Sequence, residues 1–590
     1  MTRTAPAPGG DEVHALLARV KEWIADDPEP GTARYLQLLM YQAEDGDPGE
    51  VAEAVAELTE LFSSSLTFGT AGVRGTVGPG PSRMNRRLVR QLAGGVAGWV
   101  RASSDRVSGG VVVGRDARHR SYDFVADIVE ILAGAGLVVH ALPGVVPTPV
   151  LAFSVRHLGA AAGIMVTASH NPASDNGCKV YDSEGRQVDA TQAEAIEAAM
   201  AAAGRVTDLP ASGAGDPLIR ELGLEVEDAY IAALLESILR SRLDRATVEV
   251  AYTALHGVGG STVRRLCSQV GFVHLHEVSE QSEADPDFPT VAFPNPEEPG
   301  ALDLLLSQAA WAGADVALAH DPDADRLAMA VPDPALGGRR DTSSWRILTG
   351  DELGWLLADH LLRRGGLPES GVMATTIVSS TLLAKLAAEA GIDYVATLTG
   401  FKWIVRTATP MRPLIFGYEE ALGYCVGEAV RDKDGIGALL LAAEMVSDLV
   451  ADGLTPLDRL DDLARRFGVH ATGQWSLRLE GAEGASRIDE AMTRLRSDPP
   501  PLIGGRRVAG VLDLAPGSPE RDLPPADVVG LALPGARVVV RPSGTEPKLK
   551  CYAEVVEPVA DGADLAECRS RAQSGLDQIL TALPAALGLS

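Results

Sequence analysis

Residues 160–172 put a serine where it could act as a nucleophile. The apolar run Ala160 to Val166 reads as a buried strand, and Thr167-Ala168-Ser169-His170-Asn171-Pro172 follows at its end. A hydroxyl on a loop shaped by Asn-Pro can face a cleft while the strand behind it keeps it rigid. His170 and Lys179, both near the serine in sequence, could move protons or neutralise charge there. The same residues also suit a loop serine that caps a helix.

Three carboxylates stand at alternate positions in Asp321-Pro322-Asp323-Ala324-Asp325-Arg326, after the apolar run Val316 to Ala319. Crowded like charges repel unless a hard cation sits among them, and an oxygen-only donor set favours Mg2+ over zinc. The glycine and distant glutamate of an EF-hand loop are missing. Without a cation the trio reads as an N-cap cluster on a solvated turn.

Gly417-Tyr418-Glu419-Glu420-Ala421-Leu422-Gly423-Tyr424 offers two acceptors between glycines, followed by Arg431-Asp432-Lys433-Asp434-Gly435. Sugar hydroxyls need acceptors at fixed positions, although an exposed acidic turn would look the same. Arg541-Pro542-Ser543-Gly544-Thr545-Glu546-Pro547-Lys548 combines a guanidinium, two hydroxyls and glycine-exposed amides into a phosphate cradle. It lacks the Walker spacing, so nucleotide hydrolysis is not implied. Arg74 in Phe68-Gly69-Thr70-Ala71-Gly72-Val73-Arg74-Gly75 and Lys402 in Thr399-Gly400-Phe401-Lys402 each place one cation on a glycine loop, where ordinary turn chemistry is equally served. His256, in a loop, reads more readily as structural.

Positioning these loops needs several domains, and 590 residues suggest about three to five. Strand, loop and helix succeed one another at Gly110 to Ala133, at Val248 onward and at Gly371 onward, a pattern of three α/β units without residue-level repeat. Helical spacing from about Asp11 to Phe62 predicts an N-terminal extension, either interface or brace. Polar or Gly/Pro-rich stretches predict divisions giving 1–62 as extension, 63–212, 213–335 and 336–465 as α/β units, and 466–590 as a smaller α+β domain. The net charge of −28 would repel a nucleic acid backbone or an anionic membrane. Five scattered cysteines without metal-type spacing, no long apolar segment and no secretory leader point to the cytoplasm.

Taken in order, FGTAGVRG, TASHNP, DPDADR, GYEEALG and RPSGTEPK resemble the signature loops of the α-D-phosphohexomutase superfamily, which includes phosphoglucomutases and phosphomannomutases. The resemblance runs from about residue 60 to the C-terminus. It implies four domains around a central cleft, three related α/β mixed-sheet domains plus a C-terminal α+β domain. It implies a phosphoserine at Ser169, one Mg2+ held by Asp321, Asp323, Asp325 and a phosphoserine oxygen, and catalytic help from His170, Lys179 and Arg74, with Lys179 as general acid/base. Substrate contacts are implied for Arg326, Lys402, Glu419, Glu420, Lys433, Arg541, Ser543, Gly544 and Thr545. The implied reaction interconverts a sugar 1-phosphate and 6-phosphate, glucose first and mannose also, through a bisphosphate that serves as activator.

In the sugar loop, Ala421 stands where many phosphoglucomutases carry serine, which removes one hydroxyl contact. The EEAxG form resembles the branch holding phosphopentomutases, broad phosphoglucomutases and glucose-1,6-bisphosphate synthases. A phosphopentomutase, a bisphosphate synthase or phosphatase, and a non-catalytic sugar-phosphate sensor are the alternatives. The partner is a small-molecule sugar phosphate, and the oligomeric state stays open.

Overall fold

The computed structural model describes residues 10–67, 72–103, 105–213, 215–239, 246–479, 481–521, 523–543 and 548–589. Three sheets repeat one order of strands. In the first, Asp175–Tyr181, Ala162–Val166, Val111–Arg115 and Val139–Ala141 lie side by side. Leu327–Pro332, Val316–His320, Val248–Thr253 and Val273–Glu277 do the same in the second, and Gly423–Val426, Leu414–Glu419, Val372–Thr376 and Asp393–Thr397 in the third. Each set is parallel except for the first-named strand, which returns as an antiparallel hairpin. The expected three related mixed-sheet domains are therefore present, and their kinship lies in topology.

The parallel strands are apolar because both faces are covered. Val111 and Val113 pack with the helices Arg86–Ser103 and Ser121–Gly134, while Val112 turns into a second core with Leu151 and Val155 of Thr148–His157. That second core runs without a break through all three α/β units. The fourth sheet is wholly antiparallel, ordered Val469–Arg478, Lys548–Glu557, Ala536–Pro542, Val529–Leu533 and Gly510–Asp513. With helices Gly481–Ser497 and Leu565–Ala586 it forms the expected α+β domain around its own core.

Two short strands fall beyond the divisions drawn from sequence. Ile219–Glu221 pairs with the first sheet past residue 212, and Trp345–Ile347 with the second past residue 335. Each has three residues, too few to show alternation, and each follows a polar stretch that reads as a linker.

Helices Gly10–Ile24, Pro30–Asp45 and Pro48–Leu61 share a small core and sit against the first domain. Arg87 stacks on Trp23 at 4.0 Å and pairs with Asp26 at 3.0 Å, and Arg120 pairs with Glu29 at 2.9 Å. All five cysteines are buried and none forms a disulfide. No helix among the described residues is long and apolar enough to cross a membrane.

Candidate active site

Three of the five signature loops occupy the same place in their sheets, the connection into the antiparallel strand. Residues 167–174 join the first hairpin, 321–326 the second and 420–422 the third. The loops meet because neighbouring domains are stitched at these connections. Thr148 donates its hydroxyl to Asp323 at 2.5 Å, the Leu327 amide reaches the Leu422 carbonyl at 3.0 Å, and Arg326 bridges Gly423.

Ser169 is 4% exposed and holds φ at +52°, in the left-handed region unfavourable to a residue with a Cβ. Its amide donates to the Thr167 hydroxyl at 2.9 Å, and its own hydroxyl donates to Asp321 Oδ2 at 2.8 Å. His170 Nδ1 is 3.4 Å from the same hydroxyl. Desolvation, with Arg326 and Arg74 nearby, pushes the His170 imidazole well below its usual range, so the ring is neutral near pH 7.

Carboxylate oxygens of Asp321, Asp323 and Asp325 all lie within 4.8 Å of one another, and all three residues are buried. Burial, with two like charges beside it, pushes Asp321 well up. Burial also opposes ionisation of Asp325, but Lys179, Lys433 and Arg326 overcome it and hold that carboxyl well down. Lys179 Nζ reaches Asp323 at 2.7 Å and Asp325 at 2.6 Å. These carboxylates keep the ammonium charged in spite of its burial. The outer oxygens Asp323 Oδ1 and Asp325 Oδ1 are buried without a donor among the described residues. Orphaned anionic oxygens on an all-oxygen set fit a hard divalent cation such as Mg2+.

Beside the metal loop, Lys433 lies 3.4 Å from Asp325 and 5.5 Å from the Phe401 ring. Glu419, partly exposed, is pushed up to about 7 by desolvation against the pull of Lys433 and Arg326. Near neutrality such a group can both accept from and donate to a sugar hydroxyl. Glu420 turns back into its own domain, accepting from Ser379 at 2.9 Å and Thr376 at 3.2 Å. Lys402 is buried one helical turn before Arg406. Arg74 stands on the strand Val73–Thr76, across from Gly177 and thus two residues from Lys179 in the paired strand. In the fourth domain Arg541, Lys548 and Lys550 cluster, and the Ser543 amide closes the loop on the Lys548 carbonyl at 2.7 Å. Gly544 and Thr545 lie outside the described residues, as do Phe68 to Ala71. The His256 ring reaches the Thr290 hydroxyl at 2.9 Å.

Several residues that shape the site escape a reading of the sequence. Arg118 donates to the carbonyls of Ser169 at 2.6 Å, Asn171 at 2.5 Å, Pro172 at 2.6 Å and Asp175 at 3.1 Å. Its place in Arg115-Asp116-Ala117-Arg118 looks like an ordinary charged turn. Glu297, on a proline-rich loop, lies 3.5 Å from Arg326. Arg537 and Glu554 of the fourth domain pair at 2.6 Å, Arg537 holds the carbonyl of Ile377 at 2.7 Å, and Glu554 accepts from Ser380 at 2.7 Å.

The sequence matches four family descriptions in order: "Phosphoglucomutase/phosphomannomutase, alpha/beta/alpha domain I" over residues 65–206, domain II over 228–337, domain III over 349–467 and the C-terminal domain over 508–569. A Haemophilus influenzae protein named "Probable phosphomannomutase" is 39% identical over 477 residues, covering 80% of this chain and 93% of that protein. A Staphylococcus aureus protein named phosphoglucomutase is 33% identical over 520 residues, covering 86% of this chain and 92% of its own. The structure of a phosphoglucomutase/phosphomannomutase family protein from Burkholderia thailandensis shares the fold, with a TM-score of 0.65, 21% identity, and coverage of 88% of this chain and 97% of that one.

Proposed function

The chain belongs to the phosphoglucomutase/phosphomannomutase family of the α-D-phosphohexomutase superfamily, and from that premise we propose that Ser169 carries the phosphoryl group it transfers. The protein is a phosphosugar mutase, an isomerase that moves a phosphoryl group within a sugar phosphate. One observation supports the choice of serine above the rest: Ser169 Oγ lies 2.8 Å from Asp321 inside the buried carboxylate cluster.

In the forward half-reaction the free 6-hydroxyl of a sugar 1-phosphate attacks the phosphorus on Ser169. The new P–O bond forms as the bond to Oγ breaks, the sugar hydroxyl gives up its proton, and Oγ receives one. The bisphosphate then turns in the cleft and its 1-phosphoryl returns to Oγ, leaving the 6-phosphate. Neutral His170, with Nδ1 3.4 Å from Oγ, is suited to exchange a proton with the serine oxygen. The Lys179 ammonium is suited to donate toward Oγ and to offset charge on the phosphoryl oxygens. Asp321, Asp323 and Asp325, with one phosphoserine oxygen, would hold Mg2+, which when bound neutralises charge on the transferred group. Arg541, Ser543, Gly544 and Thr545 would hold the phosphate that does not react, while Glu419, Lys402 and Lys433 would contact the sugar.

Glucose and mannose phosphates are the substrates this reading favours, with a trace of sugar bisphosphate priming the serine. The test is kcat/KM for the 1-phosphates of glucose, mannose, ribose and deoxyribose in Mg2+, together with the intact mass of the protein after each. A hexose preference of about tenfold, or roughly 1.4 kcal/mol, is expected. One phosphate per chain that vanishes in Ser169→Ala is expected as well. A leading pentose would make this a phosphopentomutase, and turnover surviving in Ser169→Ala would remove the phosphoserine from the mechanism.

A further inference from the structure

We infer that Glu297 is a sugar-binding, specificity-determining residue, supplied to the cleft by the second domain and standing in for the hydroxyl that Ala421 does not offer. This rests on the mutase reading above and adds to it a second acceptor for the sugar.

Glu297 sits on a loop of about twenty residues between the 3-10 turn Ser279–Gln281 and the helix Asp303–Ala312. Long irregular loops in compact domains are commonly functional. This one is fixed at both ends of the site. Near its start, buried Phe288 lies 5.1 Å from the guanidinium of Arg118, which holds the serine loop. Near its end, Pro294-Asn295-Pro296-Glu297-Glu298-Pro299 alternates proline with polar residues, and the locked φ of each proline limits how far the segment can shift. The buried Asn295 side chain accepts from the Glu297 amide at 3.2 Å and its carbonyl from the Glu298 amide at 3.0 Å. Glu297 is thus presented on a stiff turn.

Its side chain keeps 35% of its surface open while Arg326, its ion-pair partner at 3.5 Å, keeps 14%. One oxygen faces Arg326 and acceptor capacity is left for a ligand. Arg326 also feels the charge of Glu419 and bridges Gly423, so Glu297 borders the sugar loop. Glu420 and Lys550 act on its charge too, so the sugar loop and the basic strand of the fourth domain are both near it. Ala421 can offer the sugar loop only a methyl group, and Glu420 has its Oε2 engaged by Ser379 and Thr376. Glu297 therefore supplements Glu419 as a partly open carboxylate in this part of the cleft.

The experiment compares glucose 1-phosphate with its 2-, 3- and 4-deoxy analogues in the full-length wild type, Glu297→Gln and Glu297→Ala. An acceptor that reads one hydroxyl penalises the analogue lacking it, by about tenfold or more in kcat/KM. That penalty should shrink at one position in Glu297→Ala, with the intact sugar losing mainly in KM, and Glu297→Gln should keep part of it. Equal penalties in all three proteins, or a fall in kcat shared by every sugar, would overturn the inference and leave Glu297 as a counter-ion to Arg326. Serine phosphorylation and wild-type turnover are read in the same samples. If the wild type turns over no sugar the mutase reading fails, whereas wild-type turnover with unchanged penalties sinks only Glu297. Should Glu297→Ala fold poorly, judged by its melting curve, the Glu297→Gln penalties decide.

Discussion

The guanidinium of Arg118 donates to the carbonyl oxygen of Ser169 at 2.6 Å, across 51 positions of sequence. The carbonyls of Asn171, Pro172 and Asp175 share that side chain, and Asp116 pairs with it at 3.3 Å. A left-handed serine must be held by its surroundings, and this one cation closes the loop around it.

Arg118→Ala should leave those carbonyls and the Asp116 carboxylate without their partner. A loss of about 3–5 kcal/mol in unfolding free energy is expected, read by urea melts. Arg118→Lys keeps the charge but not the fork of donors. Its folding should recover in part while kcat stays well below wild type and KM changes little. Wild-type kcat in Arg118→Lys would show that the loop does not need the fork.

Thermal melts should report the cation. Wild type is expected to melt higher in Mg2+ than in EDTA, by an amount equal to about 2.7 kcal/mol at a hundred times Kd. Asp323→Asn and Asp325→Asn should remove most of that response. Lys179→Met leaves two carboxylates without their ammonium, so it should be the less stable protein in EDTA and gain more from Mg2+ than wild type does. A wild-type melting point indifferent to Mg2+ would count against metal binding by the aspartates.

Stability should also fall with rising pH through Asp351. This buried carboxyl is pushed up to about 7 by desolvation, from 3.8. Between those values the folded chain keeps a proton that the unfolded chain releases. Its contribution is therefore full below about pH 4, declines as pH rises to 7 and is flat above. Asp351→Asn preserves an acceptor for the Ser380 amide at 2.7 Å and the Tyr418 hydroxyl at 2.9 Å without ionising. Relative to wild type it should gain about 2–4 kcal/mol between pH 5 and pH 8. A constant difference across that range would contradict the assignment.

Arg537→Ala should loosen the fourth domain from the third. Arg537 pairs with Glu554 and holds the Ile377 and Ser379 carbonyls, and the Ser379 hydroxyl in turn holds Glu420. Added protease should cut near the third-to-fourth domain junction sooner, and KM for the sugar phosphate should rise by about tenfold as the fourth domain loses its hold on the third. An unchanged cleavage pattern would mean that the apolar contacts around Leu398, Leu514 and Tyr552 suffice.

Most of the fold and the chemical loops were legible because each loop directly follows an apolar strand, so that local pattern reports both. Ser169, Asp321, Asp323, Asp325 and Lys179 come together from two domains, as their motifs imply. What escaped depends on distant partners. Nothing around Arg118 announces four carbonyls more than fifty residues away. Glu297 sits among prolines that carry no chemical motif, and the Ser379 hydroxyl that donates to Glu420 comes from 41 positions away. Short edge strands such as Trp345–Ile347 are fixed by pairing to Leu327–Pro332, which composition does not record.

The five cysteines carry a practical consequence. All are buried, and burial pushes the thiols of Cys178, Cys267 and Cys551 up to about 12 and Cys425 higher still. Thiols so short of thiolate react slowly with maleimides and disulfides. A pair of cysteines introduced on the outer faces of the first and fourth domains would then be the fast-reacting thiols of the native protein. Dyes placed there could follow the width of the cleft during turnover without first removing the native residues.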